Sequence, residues 1–150
     1  MKTLLITGGA GYIGSHSCLS LLSQGYELYI IDSFCNSSPE VFDKLAYILK
    51  QENKFEKNKL NLNEGNIKQE EILEEIFAQA LSKGRPIQGV IHFAGLKSVK
   101  ESVINPLLYW DENLVGTINL LKIMDKNNCR SIVFSSSATV YGKSINGNCF

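Results

Sequence analysis

Apolar and polar positions along this chain switch between a period of two and a period of three to four, and the switches mark out its elements. Leu4-Leu5-Ile6 is an apolar run of strand character that meets a glycine cluster, Gly8-Gly9-Ala10-Gly11. Helical sequence follows from Tyr12 to Gln24, with Gly25 as its stop. Glu27 to Asp32 predicts a second strand ending in an acid. The turn-rich segment Ser33 to Ser38 leads to Pro39, which opens a helix running to about Lys50. Lys59-Leu60-Asn61-Leu62-Asn63 alternates, predicting a third strand. Ile72, Leu73, Ile76, Phe77, Ala80 and Leu81 recur at helical spacing among Glu70, Glu71, Glu74 and Glu75, so an amphipathic helix is predicted, stopping near Gly84. Val90 to Ala94 predicts a buried strand, and Ser131 to Ser135 another. Between them, Asn105-Pro106 supplies an N-cap and a first-turn proline for one long helix through about Lys126.

Strands alternating with helices imply parallel pairing through right-handed crossovers. The expected fold class is α/β, a Rossmann-type doubly wound parallel sheet. In such a sheet a ligand sits at the carboxyl ends of the strands. Those ends are Thr7-Gly8, Asp32, Asn63 to Ile67, Phe93-Ala94-Gly95 and Ser135-Ser136-Ser137, and they hold the most distinctive residues of the chain.

The first of these ends carries recognisable chemistry. Gly8, Gly11 and Gly14 are spaced three apart, and Gly9, Gly11 and Gly14 fit the pattern G-x-G-x-x-G. One glycine allows a tight turn, one lets the backbone approach a pyrophosphate, and one lets the helix pack closely on its strand. The helix N-terminus offers unpaired N–H groups and a partial positive charge to phosphates. Glycines alone also fit an ordinary strand-to-helix turn. Asp32, however, lies 18 residues after Gly14, close to where a dinucleotide site needs a carboxylate for the adenosine ribose. A carboxylate there accepts from ribose hydroxyls and repels a 2′-phosphate, which favours NAD over NADP.

Length and composition narrow the reading. At 150 residues the chain is one domain by size, and its 44% apolar fraction is enough for a core. Fifteen basic and fifteen acidic residues cancel, leaving no electrostatic footprint for nucleic acid or an anionic membrane surface. The four cysteines form no C-x-x-C pair, and His16 and His92 are far apart in sequence, so no metal site is expected. No apolar stretch approaches membrane-spanning length and the start is strand-like rather than secretory. Reduced thiols in a cytoplasmic protein are the expectation.

With the strand ends in view, the chain resembles the extended short-chain dehydrogenase/reductase family, and within it the branch of nucleotide-sugar 4-epimerases. The carrying segments are Thr7 to His16, Asp32 to Ser37, His92-Phe93-Ala94-Gly95-Leu96-Lys97, and Ser135-Ser136-Ser137-Ala138-Thr139-Val140-Tyr141-Gly142. They span nearly the whole chain in order. The resemblance implies that Tyr12 and Ile13 lie beside the pyrophosphate and that Asp32 holds the adenosine ribose in a pocket shared with Asn36 and Ser37. It implies that Phe93, Ala94 and Gly95 pass under the cofactor, and that Lys97 reaches its phosphate and ribose groups. Asn113, in Asn113-Leu114-Val115-Gly116-Thr117, would shape the active-site floor, and Ser137 would hydrogen-bond the reacting sugar oxygen. His92 is read as a satisfied strand-end histidine rather than a catalyst. Tyr109 and Trp110 are read as helix-packing aromatics. The long helix after Pro106 would contribute to the interface of a homodimer.

Two departures from the family pattern stand out. Gly65-Asn66-Ile67 replaces a usual Gly-Asp followed by an apolar residue near the adenine; Asn66 can still bond the adenine amine through its carbonyl oxygen, beside Ile67. Glu112 stands where relatives carry a cofactor-contacting asparagine, and an acid there is expected to face solvent. The family's chemistry also needs a Tyr-x-x-x-Lys pair, in which the lysine and the oxidised nicotinamide favour phenolate. This sequence contains none: Tyr141 is followed four residues later by Ile145. Gly142-Lys143-Ser144 imitates the end of a phosphate loop, but that pattern needs glycine at 137, where serine stands. An N-terminal piece of a longer enzyme is therefore expected, holding most of an NAD site, lacking the last strands and the substrate lobe, and inactive alone. For the intact enzyme the resemblance implies interconversion of UDP-glucose and UDP-galactose by transient oxidation at C4. The alternatives are an epimerase of another UDP-sugar, a nucleotide-sugar dehydratase, and a non-catalytic dinucleotide sensor. A dehydratase needs an acid beside the serine, and Ser137-Ala138-Thr139 has none.

Overall fold

The computed structural model describes residues 2–54 and 56–137. Five strands, β1 (Thr3–Thr7), β2 (Glu27–Asp32), β3 (Leu60–Glu64), β4 (Gly89–His92) and β5 (Ile132–Phe134), form one parallel sheet in the order β3-β2-β1-β4-β5. Chain reversal beside β1 makes this a doubly wound arrangement, with a crevice at the carboxyl edge where the order switches direction. The register aligns Asn63, Ile31, Thr7, His92 and Phe134 in a single row across the sheet. The loops that leave this row therefore begin side by side.

Helices cover both faces. Successive strand residues point to opposite sides, so Ile6, Leu28 and Ile30 pack against α1 (Tyr12–Ser23) and α2 (Glu40–Gln51) through Cys18, Leu22, Phe42, Leu45 and Leu49. Leu5, Tyr29, Ile31 and Val90 meet α3 (Glu70–Ser82) and α6 (Gly116–Lys126) through Leu73, Ile76, Phe77, Leu120 and Ile123. β2 is buried along its whole length, as a central parallel strand should be.

The predicted strands and the helices at 12–24, 39–50 and 72–81 stand within two residues of their expected limits. Two differences lie after β4. A short helix α4 (Val99–Ile104) begins at Ser98, whose hydroxyl accepts from the Glu101 N–H at 3.3 Å. The expected single helix from Pro106 is continuous but changes pitch: α5 (Pro106–Tyr109) passes into a π-helical segment, Trp110–Val115, before α6. Trp110 does not pack inside the helix layer; it is 63% exposed.

Candidate functional site

A cleft of about 390 Å³ runs along the carboxyl edge of the sheet, over the ends of β1, β2, β3 and β4. Its floor is the turn between β1 and α1. Gly8 adopts φ +67°, and a Cβ there would sit 2.6 Å from the Ala94 nitrogen. A Cβ on Gly14 would stand 2.2 Å from the Gly8 oxygen, so only glycine lets the first turn of α1 settle onto the loop. Gly11 caps the helix with extended backbone and no side-chain hydrogen bond, and no acid occupies the first turn. The first N–H groups of α1, and the positive end of its dipole, are left to serve an anion in the cleft.

Asp32 ties this turn to the neighbouring loop. Its Oδ2 accepts from the Ala10 N–H at 2.8 Å, and its Oδ1 accepts from the Phe34 N–H at 2.9 Å and the Ser37 hydroxyl at 3.0 Å. A carboxylate has roughly four acceptor positions, so three protein bonds leave about one for a ligand hydroxyl. Phe34, at φ +52°, turns the chain so that Cys35 and Asn36 face the cleft. Beneath the turn, burial and then the Asp32 charge push the Cys18 thiol up to about 12.

On the other side of β1, a chain of hydrogen bonds fixes the loop after β4. The Ala94 N–H donates to Thr7 Oγ1 at 3.2 Å, Thr7 Oγ1 is 2.6 Å from His92 Nδ1, and His92 Nε2 is 3.0 Å from Thr117 Oγ1. Thr117 spends its only proton on the Asn113 carbonyl at 2.5 Å. It must therefore accept from His92, which makes His92 the Nε2–H tautomer with Nδ1 accepting from Thr7. His92 is 1% exposed, and burial followed by the Lys97 charge lowers its pKa to about 4. Asn113 completes the device: its Oδ1 accepts from the Leu96 N–H at 2.8 Å and its Nδ2 donates to the Leu96 carbonyl at 3.0 Å.

The far end of the cleft is closed by the loop after β3 and by Glu112. Asn66 Nδ2 donates to Glu112 Oε2 at 2.7 Å, and Lys68 Nζ pairs with Glu112 Oε1 at 2.6 Å. Lys68 also pairs with Asp111, and this bond followed by that to Glu112 raises the Lys68 pKa. Glu112 does not simply face solvent, as its position in the sequence suggested. Asn66 holds it at the cleft wall.

The structure thus brings Gly8, Gly11, Tyr12, Ile13, Asp32, Asn36, Asn66, Ile67, Phe93, Ala94, Gly95 and Lys97 to one cleft. Three other candidates act from behind the wall: Gly14 under the turn, Ser37 through Asp32, and Asn113 through Leu96. Ser137 is exposed just past β5. Ala138 to Tyr141, the rest of its motif, lie outside the described residues. Ser33, Cys35 and Leu96 also line the cleft; they lie within the segments Asp32 to Ser37 and His92 to Lys97, but the sequence reading gives them no role of their own. Among the described residues no helix is long and apolar enough to cross a membrane.

Comparison with known proteins agrees with this architecture. The family model described as GDP-mannose 4,6 dehydratase matches residues 5–149. The chain is 43% identical over 141 residues to UDP-glucose 4-epimerase 2 of Arabidopsis thaliana, covering 94% of this chain and 38% of that one. It is 45% identical over 139 residues to the UDP-glucose 4-epimerase of Bacillus subtilis, covering 93% and 38%. The Bifidobacterium longum UDP-glucose 4-epimerase solved in complex with NAD+ and UDP superposes with a TM-score of 0.82 at 41% identity, over 96% of this chain and 40% of that one. The chain spans about 38% of the length of the curated relatives it matches. With all but its first four residues and its last taken up by the family model, the chain belongs to the GDP-mannose 4,6 dehydratase family of extended short-chain dehydrogenase/reductases.

Proposed function

We propose that this chain is the NAD-binding domain of a 4-epimerase that interconverts UDP-glucose and UDP-galactose. The observation that carries the reading is Asp32: from the end of β2 it reaches the glycine turn after β1, so that an anion site and a hydroxyl-binding carboxylate share one cleft wall. The cradle fits a dinucleotide. Side chains are excluded at Gly8 and Gly14 by backbone, while a Cβ on Gly11 would meet only the Gly8 oxygen at 3.4 Å, leaving room above the helix end for a diphosphate.

The residues divide the work as follows. The first N–H groups of α1, flanked by Tyr12 and Ile13, hold the diphosphate. Asp32 accepts from the adenosine ribose, with Asn36 beside it. Phe93, Ala94 and Gly95 form the surface over which the other half of the cofactor lies, and Lys97 supplies a cation to its phosphate or ribose oxygens. Bound NAD supplies a reversible hydride acceptor for C4 of the sugar. Ser137 orients the 4-hydroxyl for the base that removes its proton. The Tyr-x-x-x-Lys pair that would furnish that base is absent from these 150 residues, so binding without turnover is expected of the chain alone. Relatives solved with NAD and UDP or a UDP-sugar bound support the substrate class. The lack of an acid at Ser137-Ala138-Thr139 weighs against dehydration. Val103, Leu107 and Trp110, which are 77%, 81% and 63% exposed, support a second copy of the protein as the partner of this helical face.

Calorimetric titration with NAD+ tests the reading on the chain itself. Asp32→Ala removes the acceptor of three protein donors and of the ribose, and should weaken binding by about 1–3 kcal/mol. Absence of NAD+ binding by the parent protein, or equal affinity in the variant, contradicts it. The whole reading frame, assayed with UDP-galactose, should release UDP-glucose without consuming added NAD+.

A further inference from the structure

We infer that Tyr109 is a positioning residue for Lys97, fixing the backbone from which that ammonium reaches the cofactor; this rests on the NAD reading above. The sequence predicts a helix-packing aromatic at 109, and Tyr109 does end α5. Its hydroxyl has a second use. Oη accepts from the Ser98 N–H at 3.0 Å and donates to Glu101 Oε2 at 2.9 Å. A phenol has one proton, a carboxylate only accepts and a backbone N–H only donates, so the direction of both bonds is settled.

These bonds bracket Lys97. The Leu96 carbonyl, on the peptide unit just before Lys97, accepts from Asn113 Nδ2 at 3.0 Å. The Ser98 N–H, on the unit just after it, donates to Tyr109. Peptide units are planar, so holding one on each side of a Cα leaves the two dihedrals between them little freedom. The direction of the Lys97 Cα–Cβ bond is fixed with them. Tyr109 and Asn113 stand four residues apart, so one helix face supplies both grips. Gly95 lets the loop come this close, since a Cβ there would meet Asn113 Oδ1 at 3.1 Å. Glu101 serves twice: its N–H donates to Ser98 Oγ at 3.3 Å, and its carboxylate orients the Tyr109 hydroxyl.

Lys97 has no other means of being aimed. It is exposed, lines the cleft, and makes no ion pair among the described residues. A long flexible side chain loses rotamer entropy when it engages an anion. A backbone already set toward the cleft leaves only that side chain to be ordered on binding.

The test is a double-mutant cycle on NAD+ affinity, by calorimetry on the parent protein, Tyr109→Phe, Lys97→Ala and the two combined. Lys97→Ala removes a charge-assisted bond and should weaken binding about tenfold or more. Tyr109→Phe keeps the ring, releases the Ser98 N–H and should weaken binding roughly threefold to tenfold. In the Lys97→Ala background the same change should cost less than about twofold, because the lysine it positions is gone. An equal cost in both backgrounds makes Tyr109 merely structural and overturns the inference, as does unchanged affinity in either single variant. Hydrogen exchange on the parent needs no variant: the Leu96 and Ser98 amides, though in a loop, should exchange more slowly than a free peptide. Unprotected exchange at Ser98 overturns the inference as well. Failure of the parent to bind NAD+ overturns the NAD reading itself, and the role of Tyr109 with it.

Discussion

His92 makes the stability of this fold depend on pH in a direction that can be worked out from its bonds. The ring is 1% exposed and lies against Phe134 at 5.3 Å between centroids, with Thr7 on one nitrogen and Thr117 on the other. Protonation would place a second N–H at Nδ1, facing a Thr7 hydroxyl whose oxygen already accepts from Ala94. The Thr7 proton would have to turn away and its bond would be lost. Burial and then the Lys97 charge oppose the cation further, lowering the pKa from 6.5 to about 4. The unfolded chain therefore takes up its proton near 6.5, before the folded one does. The stabilisation is fully present above 6.5 and is lost as the pH falls through 4. At about 1.4 kcal/mol per pH unit, that interval corresponds to about 3 kcal/mol, most of it gone by pH 4.5. Carboxylates titrate in the same range, so the measurement is a difference. Urea unfolding of the parent protein and of His92→Gln is followed at pH 7.5 and 4.5, and the parent should lose about 2–3 kcal/mol more than the variant. Nitrogen-15 shifts at pH 6 should show neutral imidazole carrying its proton on Nε2. Parallel pH profiles for the two proteins, or an imidazolium at pH 6, would refute the reasoning.

Two further outcomes follow from contacts at the glycine turn. Gly14→Ala brings a methyl to 2.2 Å from the Gly8 oxygen and 2.9 Å from Gly9 Cα, both backbone, so α1 must shift as a body. It should lower stability by about 1–3 kcal/mol, the usual cost of overpacking, and an unchanged midpoint in thermal unfolding would show that the turn is looser than described. Among the described cysteines, iodoacetamide on the native protein should label exposed Cys35 and spare Cys18 and Cys129, which are buried with raised pKa values. Peptide mapping reads this directly, and early modification of Cys18 would contradict its burial under the turn.

What could be read from the sequence is what is written in contiguous residues. The glycine turn, the acid at the end of the second strand and the strand–helix alternation are local patterns, and local patterns determined both the sheet and the position of its crevice. The short helix after Ser98 was also local: Ser98-Val99-Lys100-Glu101 carries the serine-to-glutamate spacing of a capping box. Asn105-Pro106 is a second start signal seven residues further on, so two helix starts stand close together there. The π-helical segment had no such signature, because one widened turn does not disturb the apolar period on either side of it. What stayed hidden depended on residues far apart in sequence. Glu112 and Asn66 are separated by 46 positions, and His92 and Thr7 by 85. No periodicity links either pair.

The same distinction accounts for Ser37 and Asn113. Both belong to motifs that point to the cofactor, and both reach the cleft through another residue's hydrogen bonds, to Asp32 and to Leu96. A motif identifies which residues a site requires without specifying whether they touch the ligand or hold the residue that does. Asn113 illustrates the consequence. It clamps the Leu96 peptide with two bonds while its carbonyl accepts from Thr117, the last member of the His92 chain. The loop after β4, on its side of the cleft, is therefore held by the same buried hydrogen-bond chain that resists protonation of His92. The acid loss of stability and the loss of that cleft wall should begin at the same pH.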